Sequence, residues 1–196
     1  MIDFSNVGKH YASRTHEKMQ EVLMNPRAPG PSIHYYMIRG GKDQRNITVW
    51  EPGTIDSEYI KTYGHYHVGD LEETYWVLLG NGVVLKQKLA GVDPGIVDMF
   101  AAIPVKAGDD VFMKSGEGHL VVNTGSTYLV TADDSPVHFD DKDPAGLPGH
   151  ADYEPVKKMR GFAYYVVERN GKPALVKNPH YTEIKNADFG GLSVVE

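Results

Sequence analysis

The chain has no cysteine. A disulfide framework and thiolate catalysis are therefore excluded, which is compatible with a reducing cytoplasm. It also has no apolar run approaching membrane-spanning length, and Met1-Ile2-Asp3-Phe4 lacks the basic start and apolar core of a signal peptide. No membrane partner is expected. Positive charge is in deficit: 20 Lys and Arg stand against 26 Asp and Glu, a net charge of −6. That argues against a broad nucleic-acid surface. It leaves room for a small anion, because backbone N–H groups and a few hydroxyls can hold a phosphate locally. There is no fixed-period repeat, no low-complexity run and no linker composition. The 196 residues read as one domain, 1–196, with enough mass for a sizeable core.

Helix signals are scarce. Residues 13–24 are the best candidate: Arg14, Glu17, Lys18, Gln20 and Glu21 interleave with Met19, Val22 and Leu23, and Asn25-Pro26 stops the run. The rest reads as short strands with turn punctuation. Strands are expected over 33–38, 46–50, 57–63, 96–104, 111–113, 119–123 and 128–131, with turns at 40–43, Pro52-Gly53 and Pro94-Gly95. Residues 74–79 and 83–89 flank Gly80-Asn81-Gly82 and read as a hairpin. A second hairpin is expected from 162–168 and 174–177 through Asn170-Gly171, and 133–150, rich in Asp, Pro and Gly, reads as a loop. Many short strands at this spacing predict an all-β sandwich or barrel. Tyr75, Trp76, Val77 and Leu78 are expected in its core.

Chemistry concentrates in Gly64-His65-Tyr66-His67, followed by Glu73 and later by His119. Alternate side chains of a strand share a face, so His65 and His67 would point the same way. Neutral imidazoles with a carboxylate suit a divalent first-row metal that keeps positions open for substrate. A lone His-x-His is often just two structural histidines; the joint pattern with Glu73 and His119 favours a metal centre. His10, His16, His34, His138 and His180 lack such spacing and read as surface or packing residues. Asp133-Asp134 and Asp140-Asp141 read as solvated loop acids.

Two segments resemble a known superfamily. His65-x-His67, five residues, Glu73, six residues, Gly80 is the first; Gly108, five residues, Lys114-x-Gly116, two residues, His119, three residues, Asn123 is the second. Together they resemble the paired motifs of the cupins. That resemblance implies a jelly-roll barrel (a double-stranded β-helix) with core about 33–181, outside which the N-terminal helix packs. Spacing counted from His67 selects Glu72 as the acidic ligand, and spacing counted from Gly80 selects Glu73. A narrower resemblance favours Glu73: Thr62-Tyr63-Gly64-His65-Tyr66-His67, with Glu73-Thr74-Tyr75 behind it, is similar to the cupin-type glucose-6-phosphate isomerases. Thr48, Pro52-Gly53, Gly161-Phe162, Asn170-Gly171 and Asn178-Pro179 extend the likeness over most of the chain.

The resemblance implies a cytoplasmic homodimer that interconverts glucose 6-phosphate and fructose 6-phosphate, a step of glycolysis and gluconeogenesis. It implies one divalent ion per chain, iron first and manganese, nickel or zinc as alternatives, on His65, His67, Glu73 and His119. It assigns phosphate contacts to Tyr35, Thr48, Thr62 and Gly64, with Tyr36 competing for the role of Tyr35. Glu73 is its candidate base, and His150 and Tyr153 its candidates for ring opening or sugar orientation. Aldose–ketose exchange moves one proton between adjacent carbons while a metal polarises the carbonyl. An enediolate route needs a base, a hydride shift does not, and the sequence leaves both open. The departures fall at the sugar end: a shorter gap before Glu73, no tyrosine near Ser135-Pro136, a longer loop over 134–149, and an extra alanine in His150-Ala151-Asp152-Tyr153. Two further functions share the ligand set, an iron-dependent oxygenase and a non-catalytic sugar-binding cupin.

Overall fold

The computed structural model describes residues 11–40, 45–138, 140–143 and 146–196. The opening tetrapeptide, His10 and the 40–43 turn beyond Gly40 lie outside the described residues, as do parts of the 133–150 loop. In chain order the first strands are β1 (Tyr11–Thr15), β2 (Ile33–Ile38), β3 (Asn46–Trp50), β4 (Thr54–Ile55) and β5 (Glu58–Tyr59). The central set is β6 (His65–His67), β7 (Glu73–Leu79), β8 (Asn81–Leu89), β9 (Ile96–Lys106), β10 (Asp110–Met113), β11 (Gly118–Asn123) and β12 (Leu129–Asp133). The chain ends with β13 (Ala151–Asp152), β14 (Tyr164–Arg169), β15 (Lys172–Lys177), β16 (Glu183–Asp188) and β17 (Ser193–Val195). Two short helices, α1 (His16–Met19) and α2 (Glu154–Lys158), interrupt the strands. Among the described residues no helix is long and apolar enough to cross a membrane.

These strands form a jelly roll. One six-stranded sheet has the order β1-β2-β3-β12-β7-β10, and a second has β13-β6-β11-β8-β9-β16. The central strands cross between the two sheets: β6 in the second, β7 in the first, β8 and β9 in the second, β10 in the first, β11 in the second and β12 in the first. Period-2 alternation explains the stack. In the first sheet Tyr35, Met37, Trp50, Val77, Met113 and Leu129 point inward and join one apolar core with residues of the second sheet. The far face of the second sheet is covered too. There Gln87 donates to Tyr181 Oη (2.9 Å) and to Tyr66 Oη, and accepts from Ala163 N (2.9 Å). A smaller five-stranded sheet, β17-β15-β14-β5-β4, contains the expected second hairpin, β14 with β15.

Several expectations fail. The 13–24 helix shrinks to α1, because Tyr11–Thr15 pairs antiparallel with β2 along its length. Those pairing hydrogen bonds and the burial of Arg14 override the helical pattern. Thr15 caps what helix remains, accepting from Lys18 N at 3.3 Å. The N-terminal segment is thus a strand of the barrel sheet and does not simply pack outside it. Residues 74–89 are not a hairpin. β7 pairs with β12 and β10, whereas β8 pairs with β11 and β9. Gly80, at φ +83°, carries the chain across, and a Cβ there would lie 2.6 Å from the Tyr128 carbonyl oxygen. Trp76 and Leu78 point away from the core, since neighbours on a strand alternate; Leu78 is exposed. Asp133 is 1% exposed and is no solvated loop acid.

Candidate active site

His65 and His67 occupy alternate positions of β6, and pairing places His119 of β11 directly opposite His65. Glu73 opens β7 on the facing sheet. One ligand atom from each of the four side chains lies within 4.8 Å of the others. Glu73 Oε2 is 3.0 Å from His67 Nε2 and 3.3 Å from His119 Nε2, and the two Nε2 atoms are 3.1 Å apart. His67 Nδ1 faces the Leu71 carbonyl at 3.1 Å. An Nδ1–H donated there leaves Nε2 bare for ligation and fixes the ring. His65 Nε2 is buried with no hydrogen-bond partner among the described residues. A buried nitrogen without a partner is costly. A divalent ion would satisfy it together with the crowded Nε2 and Oε2 atoms, so these residues fit such an ion. Glu72 is exposed and outside the cluster.

Electrostatics prepare the same group. Burial pushes the Glu73 carboxyl up, but His119, through charge and hydrogen bond, and His67 outweigh it and hold it well below the usual carboxylate range. Burial, followed by His119, holds His65 well below the usual imidazole range. An ionised carboxylate at Glu73 and a neutral imidazole at His65 are the forms that bind divalent ions.

The cavity continues away from this cluster. Tyr35, Thr48, Thr62 and Gly64 line it together with His65, His119 and Tyr153. Tyr35 is inward and its Oη accepts from Tyr63 N (3.2 Å), whereas Tyr36 points outward and donates to Glu51 Oε1 (3.2 Å). Thr62 Oγ1 accepts from Val121 N at 2.9 Å, which leaves its hydrogen to donate. Gly64 sits at φ +82°, and a Cβ there would meet Phe162 Cε1 at 3.1 Å and Leu120 Cβ at 3.2 Å. Glycine is required by backbone and packing behind it, whatever lies in front.

His150 and Tyr153 reach the cluster through β13, which lies against β6 with Ala151 opposite His67. The His150 ring is 6.2 Å from that of His65 and 6.3 Å from that of His67, and Tyr153 is 5.5 Å from His65, centroid to centroid. Burial lowers the His150 imidazole to about 4 against the opposing charge of Glu73. Burial, then Tyr35, pushes the Tyr153 phenol up to about 12.

Sequence reading missed Arg14, Met37, Arg39 and Tyr75, all of which line the cavity. The signal for Arg14 was the alternation Ala12–Arg14 against Tyr11–Ser13, visible only once residues 11–15 are taken as a strand. Arg39 pairs with Asp133 at 3.3 Å. Asp133 also accepts from Asn46 Nδ2 and Ser135 Oγ, both at 2.6 Å. Burial and then Glu73 push its carboxyl up to about 6 against those partners. Asn123 serves a turn: its amide donates to the Thr127 carbonyl (2.9 Å) and its Oδ1 accepts from Gly125 N (3.0 Å). His138 and His180 are exposed; His34 is fully buried against His16.

Comparison with known proteins places this geometry. Residues 35–183 match the family model described as glucose-6-phosphate isomerase. The chain belongs to the glucose-6-phosphate isomerase family. It is 34% identical over 135 residues to the glucose-6-phosphate isomerase of Pyrococcus abyssi, an overlap of 68% of this chain and 62% of that protein. The chain thus spans less than two thirds of that relative's length. A shorter overlap, 40% identical over 65 residues, links it to the oxalate-binding protein of Thermotoga maritima, covering 33% of this chain and 43% of that protein. Among solved structures, a predicted oxalate decarboxylase from Thermotoga maritima aligns with a TM-score of 0.40 at 21% identity, over 68% of this chain and 95% of the other. The family match includes all four clustered ligands, the four cavity residues Tyr35, Thr48, Thr62 and Gly64, and both His150 and Tyr153. It begins after Arg14.

Proposed function

We propose that the chain is a metal-dependent aldose–ketose isomerase interconverting glucose 6-phosphate and fructose 6-phosphate. The observation that carries this reading is one cavity lined both by two residues of the four-residue cluster, His65 and His119, and by the hydroxyl-bearing Tyr35, Thr48 and Thr62, in a member of this family. His65, His67, Glu73 and His119 hold one divalent ion, iron first, with manganese, nickel or zinc as alternatives. When bound, the ion supplies Lewis acidity toward a substrate carbonyl. Tyr35, Thr48 and Thr62 offer hydroxyls to the phosphoryl group, and Gly64 offers its N–H. Tyr153 keeps its phenolic proton at neutral pH and can donate to a sugar oxygen, and His150 flanks the cluster from the same side. Chelation followed by a coupled assay of fructose 6-phosphate conversion tests the reading. Turnover should vanish on chelation and return with a divalent ion; full turnover by metal-free protein would refute it.

The oxalate-binding relative favours a second reading, a binding cupin without turnover. Metal-loaded protein that binds sugar phosphates but never converts them would support it.

The reading includes a cytoplasmic homodimer. β2 cannot add to a neighbour's sheet, because β1 and β3 pair with it on both sides. The outer face of the first sheet is the better candidate. Tyr36, Ile38, Trp76, Leu78 and Phe112 present apolar surface there, and Leu78 and Phe112 are exposed. The second sheet's outer face is already covered. Light scattering at micromolar concentration should report a dimer, and Leu78→Glu should weaken it.

A further inference from the structure

Arg14 is a buried cation with no carboxylate at ion-pair distance among the described residues; Asp143 acts on it only as the weakest of the charges around it. It is 7% exposed and belongs to no ion pair among the described residues. Its partners are neutral: Nε donates to Tyr35 Oη at 3.1 Å and Nη2 to the Gly146 carbonyl at 2.6 Å. The guanidinium carbon lies 6.0 Å from the ring centroids of both Tyr35 and Tyr153. Two corners of the planar fork are thus held, and Nη1 has no hydrogen bond among the described residues. Arg39, the other cavity arginine, contrasts with it, since Asp133 already meets its charge. A charge withdrawn from water without a counter-charge in direct contact is expensive. In a cavity that opens to ligand, the economical explanation is that the counter-charge arrives with the ligand.

We propose that Arg14 supplies the positive charge of the cavity's anion subsite and grips the phosphoryl group of a sugar phosphate beside Tyr35, Thr48 and Thr62. This rests on the sugar-phosphate reading above and adds a residue that the family match does not reach. Pairing positions it: Arg14 of β1 lies opposite Tyr35 of β2, so the fork and the phenol share one face. A guanidinium fork suits carboxylate and phosphate alike. The surrounding donors decide for phosphate: three hydroxyls and the Gly64 N–H suit a group with three terminal oxygens, more than a carboxylate can use.

The test is calorimetric titration of metal-loaded protein with inorganic phosphate, fructose 6-phosphate and fructose. Arg14→Gln should weaken phosphate and fructose 6-phosphate about 10- to 100-fold, the usual worth of a charge-assisted hydrogen bond. Affinity for fructose and metal content should stay as in wild type, and KM should rise more than kcat falls. A folded Arg14→Gln protein that binds phosphate like wild type overturns the proposal, as does wild-type protein that does not bind phosphate. Arg14→Met keeps the stem's packing and removes the charge. The rise in melting temperature that phosphate gives the wild type should disappear in it, and its persistence would also overturn the proposal. Arginine-dependent phosphate binding without conversion of fructose 6-phosphate would leave the anion subsite standing while the isomerase reading fell.

Discussion

The two ends of the cavity are built differently. The metal end draws four side chains from β6, β7 and β11, and each is part of a spaced motif. The proposed anion end is assembled from β1, β2, β3 and the segment entering β6, with side chains brought together by strand pairing. Arg14 lies opposite Tyr35, and Thr48 lies between Met37 on one side and Thr131 on the other. A one-residue slip in any of these registers would turn the side chains to the outer face. A metal centre is therefore a demand on residue identity at fixed spacing, whereas this anion subsite is a demand on register. The first should fail as a unit, the second by increments.

The largest effect should come from breaking the metal end. His119 contacts His65, His67, Glu73 and Tyr75, and is 1% exposed. Changes to residues that merely orient a ligand commonly cost 10- to 100-fold in affinity or activity. His119→Ala removes a ligand outright and should lose more than about 100-fold in metal affinity, with turnover falling alongside. Circular dichroism should still report the fold, because the apolar core does not depend on the cluster. Metal analysis and the coupled assay check this. A variant that keeps stoichiometric metal and wild-type turnover would show that the four side chains are not the centre.

At the anion end Thr62 should act by degrees. Thr62→Val removes the hydroxyl offered to phosphate and should raise KM for fructose 6-phosphate about 10-fold, with metal content unchanged. It also strips Val121 N of its acceptor, at a cost of about 1 kcal/mol or more in stability. Thr62→Ser restores the hydroxyl and should recover both. Gly64→Val is a poorer probe, because φ +82° and the contacts with Phe162 and Leu120 would damage the backbone whatever the ligand does. Loss of metal in Thr62→Val would break the separation between the two ends.

The same contrast explains what was legible. Strands over 33–38 and 46–50 were readable to the residue, because β-branched and aromatic side chains fill both runs. The clustering of His65, His67, Glu73 and His119 was readable because their spacing is a signature in itself. Arg14 was not. The residues around it carry a helix-compatible pattern, and only pairing with β2 makes them a strand. The 74–89 hairpin failed for a related reason: a glycine-rich turn marks a change of direction but does not say whether the chain returns beside itself or crosses to the opposite sheet. Asp133 looked like a loop acid until its partners Arg39, Asn46 and Ser135, distant in part of the chain, were in place. Glu72 and Glu73 are neighbours in sequence but face solvent and cluster respectively, a distinction that alternation predicts only once the register is known.

A further effect lies away from both ends and separates scaffold titration from site titration. His34 is fully buried on β2. Its Nε2 is 2.9 Å from His16 Nδ1, and His16 Nε2 is 3.0 Å from the Ala28 carbonyl. With His16 donating to Ala28, its Nδ1 accepts from His34 Nε2, so both rings can be neutral along this chain, while His34 Nδ1 stays buried without a partner among the described residues. Burial, then His16 and Lys61, lowers the His34 imidazole to about 4. The unfolded chain should titrate near 6.5. Above that value both states are neutral and the stability is fully present. As pH falls from about 6.5 to about 4, the unfolded state takes up a proton that the folded state refuses, so stability declines, by roughly 3 kcal/mol at most from this residue. Below about 4 the loss levels off. Urea melts at pH 7 and pH 4.5 should therefore show a smaller drop in stability for His34→Gln than for wild type, with the metal content of both unchanged at pH 7. Equal drops would mean that the acid sensitivity belongs to the cavity histidines and not to the scaffold behind them.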